Sequence, residues 1–360
     1  MPQGTMKALW YNAPRDFEIK QVPIPQINDD EVLLKVTCCG MCGTDGHIHD
    51  GTEISFHSST FGRTWDLTKY GYSLSLDMKL LARSLRWART SRASLPVTDV
   101  WLTSALHVAT ASIAAVANLF SVKTSTPVVL PRMVVSQNTS NSTHQSKLYK
   151  IHNLTDEEST LLEPAACAIH GLDKLNPPVG IEVLLLGAGP TGLILAQLLK
   201  QNGASRVVIA ANKGIKMDIA KDLEAADEYI ELDRQNPEPQ WQKLKDDNPY
   251  GFDVVVEATG VEKLANESIN YVRRGGTLMI YGVYENKALV HWPPSKIFGD
   301  EIRIIGSFSQ TFCFPRAVAY LDSGKVKVKG MVTDVYKLED FQSALDKMNS
   351  RGALKIAIKP

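Results

Sequence analysis

The six residues Gly187-Ala188-Gly189-Pro190-Thr191-Gly192 could cradle a pyrophosphate. They follow the apolar run Val183 to Leu186 and open the helical pattern "LILAQLLKQ". Gly187 permits a tight turn, Gly189 lets phosphate approach the backbone, and Gly192 lets helix pack on strand. The helix N-terminus then faces the phosphates with its free N–H groups. A bare G-x-G-x-x-G is weak on its own. Between one apolar strand and the next, "RVVIAA", it points to dinucleotide binding. About 20 residues on, such sites carry an Asp or Glu for the adenosine ribose hydroxyls, which favours NAD. Here the place holds Ala210, Ala211 and Asn212, followed by Lys213 and Lys216. No carboxylate stands there to repel a 2′-phosphate, and two cations could attract one. That pattern points to NADP, or to use of both cofactors. The plainer alternative makes both lysines ordinary solvated charges.

A second stretch, "CGMCGTDGHIHDG", places Cys42 between Gly40 and Gly43. Its thiolate is a soft donor suited to zinc, held on a turn. Thr44 and His47 follow it, a hydroxyl and an imidazole able to pass a proton to solvent. Alone, such a cysteine is more often structural; the dinucleotide motif downstream reverses that preference. "LLEPAACAIHGLDKL" adds Glu163, an acid before Pro164. It suits a metal ligand or an acidic neighbour of a helix N-cap.

These groups need elements to position them. "KALWYN", "FEIKQVPIP" and "EVLLKVTCCGMC" alternate as β-strands, with Pro, Asn and Asp at the breaks. From residue 154 to 301, strand and helix patterns alternate. "EVLLLG", "RVVIAA", "DEYIEL", "FDVVVEATG", "GGTLMIYG" and "IRIIGS" are near-continuous apolar runs, as suits doubly covered strands of a parallel sheet. Residues 302 to 360 hold the helices "FPRAVAYLDSGK" and "DFQSALDKM" and a last strand, "ALKIAIKP".

At 360 residues the chain suffices for two domains, each with its own core. A formal net charge of zero points to neither nucleic acid nor an anionic membrane. The start, MPQGTMKALWYNAPRD, lacks the apolar run of a signal peptide. The most apolar stretch, Ala105 to Lys123, is broken by His107, Thr110, Ser112 and Asn118 and is short for a membrane span. Five irregularly spaced cysteines (Cys38, Cys39, Cys42, Cys167, Cys313) fit free thiols and metal chemistry in a reducing, cytoplasmic compartment. The sequons at Asn138, Asn141 and Asn153 then read as chance matches.

With these stretches together, the sequence resembles the zinc-dependent medium-chain alcohol and polyol dehydrogenases. The likeness is strongest to the sorbitol, threonine and fungal D-arabinitol enzymes. It is carried by "GMCGTDGHIHDG", "KLYKIHNLTDEESTLLEPAACAIHGLD", "VLLLGAGPTGL", "VVIAANKGIKMDIA", "VVVEATG" and "LMIYGVY", and covers residues 1 to 50 and 147 to 360. The resemblance implies an α/β fold: a Rossmann doubly wound parallel sheet over 154–301, and a GroES-like β-rich catalytic domain over 1–153 to which 302–360 returns. It implies one catalytic zinc, with Cys42 and Glu163 among its ligands, a second structural zinc, and a dimer or tetramer. The implied reaction oxidises a polyol to a ketose by hydride transfer. Zinc lowers the pKa of a bound secondary hydroxyl, the proton leaves toward Thr44, the ribose and His47, and hydride passes to NADP or NAD. D-arabinitol is favoured because "AANKGIKMDIA" and "EPAACAIHGLD" look most like the fungal arabinitol enzymes.

The departure from the family covers residues 51 to 146. The family's Gly-His-Glu stretch, its four-cysteine lobe and "GGFAEY" are absent there. No glycine occurs between Gly71 and Gly171, and Asp99 is the only acid between Lys79 and Lys147. A β-rich domain needs glycine for its turns and bulges. If the third base of each codon is joined to the first two of the next, codon choices exist that restore three family blocks. Arg86–Thr103 becomes "VGPDVKGF…GDR…VAD", Leu106–Thr124 becomes "ACGHCFYCRRGKPFLCEN", and Met133–Thr139 becomes "GGFAEY". Ala82 to Thr143 therefore read as an out-of-frame translation, with a genuine divergent insertion as the alternative. Such a segment has no reason to pack as the family's barrel. A chain made as written would then act at most as a dinucleotide-binding protein without catalysis. Metal analysis of the purified chain is expected to find less than one tightly held zinc per chain; two would overturn the out-of-frame assignment.

Overall fold

A computed structural model of the chain describes residues 4–24, 33–51, 80–86, 100–104 and 146–360. The described residues fall into two compact units, 1–162 with 332–360, and 163–331.

In the first unit, β1 (Thr5–Ala13) and β2 (Asp16–Pro23) form an antiparallel hairpin. β3 (Leu33–Met41) runs into α1 (Gly43–Asp50), then come β4 (Leu80–Arg86), β5 (Val100–Ser104), β6 (Ser146–Lys150) and the short α2 (Asp156–Ser159). α2 opens on a capping box, with Thr155 and Glu158 each accepting from the other's backbone N–H. Two strands fall within 51–146, the stretch whose sequence gives no reason to pack as the family's barrel. β4 and β5 join one sheet, antiparallel between β3 and β6. Strand pairing uses backbone groups, so an extended segment can complete a ladder whatever side chains it carries. The remainder of 52–145 lies outside the described residues.

The second unit begins with α3 (Leu162–Leu175) at its boundary and then alternates as the apolar runs require: β7 (Glu182–Leu186), α4 (Pro190–Gln201), β8 (Arg206–Asn212), α5 (Ile215–Asp222), β9 (Glu228–Leu232), α6 (Glu238–Asp247), β10 (Phe252–Glu257), α7 (Glu262–Ser268), β11 (Val272–Ile280), α8 (Pro294–Gly299) and β12 (Arg303–Gly306). All pairings are parallel, in the order β12-β11-β10-β7-β8-β9. This is the doubly wound order, with its reversal between β7 and β10. Residues 183–186, 207–210 and 254–257 are buried without alternation, the mark of a sheet covered on both faces. Leu184, Leu186, Val208, Phe252, Val255 and Leu278 form one core cluster. Each such side chain contributes about 1.5–3 kcal/mol relative to exposure. β12 lies beyond residue 301, the limit drawn from sequence, and so does α9 (Phe314–Asp322) of the same unit.

The chain re-enters the first unit with β13 (Val332–Lys337), α10 (Phe341–Asn349) and β14 (Lys355–Lys359). β14 pairs antiparallel with β3, and Phe341, Leu345, Ile356 and Ile358 pack with Leu9, Tyr11, Cys39 and Met41. The C-terminus thereby closes the core that the first forty residues open.

Cys38, on β3, is fully buried. Burial pushes its thiol up from about 9 to about 12, the Glu157 carboxylate adding to the rise while Lys359 opposes it. At pH 8 the folded chain should therefore leave Cys38 unalkylated by iodoacetamide, as read by peptide mass spectrometry. Because the folded pKa is the higher one, the stabilisation is complete below about pH 9 and is lost as pH rises toward 12. Alkaline titration of the unfolding midpoint should fall in that window.

Candidate functional site

The glycine turn lies between the end of β7 and the start of α4, at the point where strand order reverses. Gly187 has φ +109°, and its N–H donates to the Ala210 carbonyl at 2.9 Å, tying the turn to β8. A β-carbon at Gly187 would lie 2.9 Å from Thr259 Cγ2, on the loop after β10. At Gly192 it would lie 3.3 Å from Leu185 Cδ2, so the helix packs closely on its strand. At Gly189, the N-cap of α4, it would meet nothing within 4 Å. Gly187 thus holds a tight turn, Gly192 a close helix–strand contact, and Gly189 an open position at the helix start. Pro190 occupies the first turn and no side chain caps the helix. Leu193 donates its N–H to the Gly189 carbonyl at 2.9 Å, so the N–H groups of Thr191 and Gly192 are the ones available to an anion, and the helix dipole favours one.

At the end of β8, Ala211 is half-buried and Asn212 and Lys213 are exposed. Lys216 lies in the first turn of α5, half-buried. Sequence reasoning missed Glu231, which stands opposite Ala211 in register on β9. Its carboxylate is paired with Lys221 at 2.6 Å, and that hydrogen bond holds it below the usual carboxylate range. The pairing takes up the negative charge opposite Ala211.

In the first unit, Cys42 links β3 to α1 and is half-buried. The expected turn continues directly into a helix. Asp45, also missed, is 3% exposed and accepts the Cys42 N–H at 2.8 Å, while its own N–H donates to the Cys42 carbonyl at 3.1 Å. This is a side-chain cap that fixes the backbone at the cysteine. Thr44 and His47, both half-buried, are three residues apart on α1 and so share a face. His49 is buried, with its ring edge-on to Phe17 and Nδ1 without a partner. Glu163, near the start of α3, accepts from the Cys167 thiol at 3.2 Å.

The structure thus groups Cys42, Thr44 and His47 at one helix start, and the glycine turn with Ala211 to Lys216 in the other unit. Glu163 belongs to the second unit and Cys42 to the first. Among the described residues, no group of three or more His, Cys, Asp or Glu side chains could hold a metal ion. A tetrahedral zinc needs four donors, so the described residues do not by themselves complete a zinc site.

Residues 190–323 match the family profile described as zinc-binding dehydrogenase. The chain is 52% identical over 362 residues to D-arabinitol dehydrogenase 1 of Uromyces fabae, covering 99% of this chain and 97% of that protein. The chain belongs to the zinc-binding dehydrogenase family. Sorbitol dehydrogenase of Bacillus subtilis (strain 168) is 25% identical, over the whole of this chain and 98% of that one. Among solved structures, 2R,3R-butanediol dehydrogenase of Bacillus subtilis aligns with a TM-score of 0.73 at 20% identity, covering 98% of this chain and 99% of that one. L-idonate 5-dehydrogenase of Escherichia coli K-12 aligns at 0.74 and 18%, covering the whole of this chain and 99% of that one. At these identities the structural likeness shows the fold, an α/β dehydrogenase architecture.

The turn at Gly187 supplies a direct check of the dinucleotide site. Gly187→Ala places a β-carbon against Thr259 at a positive φ, costing more than about 1 kcal/mol. The variant should unfold at lower temperature and bind NADP and NAD at least tenfold more weakly. Calorimetric titration and thermal melting measure both.

Proposed function

We propose that the chain oxidises a polyol to a ketose with a nicotinamide dinucleotide, with D-arabinitol as substrate. The observation that carries this is the 52% identity, over nearly the whole of both chains, to a protein named for that substrate. The open N-terminus of α4 supports dinucleotide binding.

When bound, the nicotinamide supplies the hydride acceptor for the carbinol carbon. The chain's own residues do the rest. The first turn of α4 holds the pyrophosphate on its N–H groups. Ala211 leaves room for a 2′-phosphate, and Lys213 and Lys216 attract it. Thr44 and His47, on one face of α1, take the hydroxyl proton and pass it to solvent. Cys42 and Glu163 are the proposed metal ligands contributed by the described residues. The fuller assignment places 1–153 and 302–360 in the catalytic domain and 154–301 in the dinucleotide-binding domain. We place the enzyme in the cytoplasm as a dimer or tetramer. The five cysteines form no disulfide, and among the described residues no helix is long and apolar enough to cross a membrane.

Two measurements test the proposal. Restored to the family frame over 51–146, the chain should reduce NADP or NAD when given D-arabinitol. Failure with every five- and six-carbon polyol would overturn the activity. Equal turnover by the chain as it stands would instead overturn the out-of-frame assignment. Separately, the chain should bind NADP at least as tightly as NAD, and Ala211→Asp should weaken NADP about tenfold or more by repelling the 2′-phosphate. Strong NAD preference before substitution would refute the cofactor assignment.

A further inference from the structure

Glu257 is the last residue of β10 and is fully buried. A carboxylate out of water needs its oxygens occupied by donors. Oε1 accepts from the Thr259 N–H at 2.9 Å and from the Thr259 hydroxyl. Oε2 accepts from the Gly260 N–H at 3.2 Å and from the Tyr284 hydroxyl. The Glu257 carbonyl accepts from the N–H groups of Tyr281 and Gly282, each at 2.8 Å. One residue thus binds the loop after β10 to the loop after β11. Burial and the Glu257 carboxylate together push the Tyr284 hydroxyl well up, so it remains a donor at neutral pH.

The two loops close tightly around this carboxylate. A β-carbon at Gly260 would lie 2.2 Å from the Val283 carbonyl oxygen, and one at Gly282 would lie 2.9 Å from Glu257 Oε2. The same β10 loop presses Thr259 Cγ2 against Gly187, and the Ala258 N–H donates to the Leu186 carbonyl at 3.0 Å. The clamp is therefore continuous with the pyrophosphate turn.

The course of a dinucleotide follows from the sheet. Its pyrophosphate meets the start of α4, and its adenosine lies toward the end of β8, on one side of the reversal point. The other nucleoside must then extend over the ends of β10 and β11. Those ends carry the two loops that Glu257 joins. We infer that Glu257 is a positioning residue for the nicotinamide half of the cofactor: it fixes the 258–260 and 281–284 loops on which that half rests. This rests on the dinucleotide reading above. The carboxylate acts through the loops, so its removal should disturb one half of the ligand and spare the other.

The experiment compares whole and half ligands by calorimetric titration of the full chain. The probes are NADP, NAD, ADP and 2′,5′-ADP. Glu257→Gln presents an amide group to donors and loses two acceptor positions. It should weaken NADP and NAD at least tenfold while changing ADP and 2′,5′-ADP less than twofold. Tyr284→Phe removes one donor and leaves the carboxylate, and should weaken the dinucleotides several-fold with the half ligands unchanged. Equal losses for whole and half ligands, or no loss for either, would overturn the inference. If Glu257→Gln fails to fold, Tyr284→Phe decides by the same comparison. If the unsubstituted chain binds ADP and 2′,5′-ADP but neither dinucleotide more tightly, the dinucleotide reading fails, and it does so before any variant is made.

Discussion

The second unit depends on one close approach, that of the β10 loop to the turn after β7. Gly187 can hold its positive φ with Thr259 against it only because it carries no side chain. The turn must be tight for α4 to start directly above the sheet, and α4 must start there uncapped to offer its N–H groups to an anion. Gly192 then brings the helix down onto Leu185. The buried strands on either side hold this arrangement rigid, since the sheet is covered on both faces.

The first unit is organised differently. Its core is shared between the two ends of the chain, with β14 laid along β3 and α10 packed beneath. Cys42 emerges from this sheet at the start of α1, and the buried Asp45 fixes the backbone on which it stands. The backbone at the cysteine therefore has a set position. Thr44 and His47 take theirs from the same helix. What would complete a four-donor site is not among the described residues, and the family's ligand-bearing stretch is what the sequence lacks between 51 and 146.

The charge around the end of β8 is set by two strands together, which one strand alone does not reveal. The absence of an acid at 210–212 removes one repulsion. Glu231, across the register on β9, could have restored it, but Lys221 pairs with that carboxylate. Exposed pairs of this kind contribute little to stability; here the relevant effect is on the local field near Ala211.

The sequence by itself determined the alternation of apolar runs and helical patterns, and hence the parallel sheet. Runs such as "EVLLLG" and "FDVVVEATG" are local and their periodicity is unambiguous. The glycine turn was legible for the same reason, since its three glycines act within six residues. Cys42, Thr44 and His47 were legible as a group because they lie within one short stretch. α1 was not, because "GTDGHIHD" has two glycines in its first four residues and carries little apolar periodicity; the Asp45 cap and packing beside α10 make it a helix. Only the tertiary structure decided that Glu231 faces Ala211 and that Glu257 gathers donors from two loops. Each of these follows from strand order and register, which bring together residues up to 27 positions apart in the chain. No local pattern carries that information, because the buried carboxylate and its donors are complementary only once the strands are side by side.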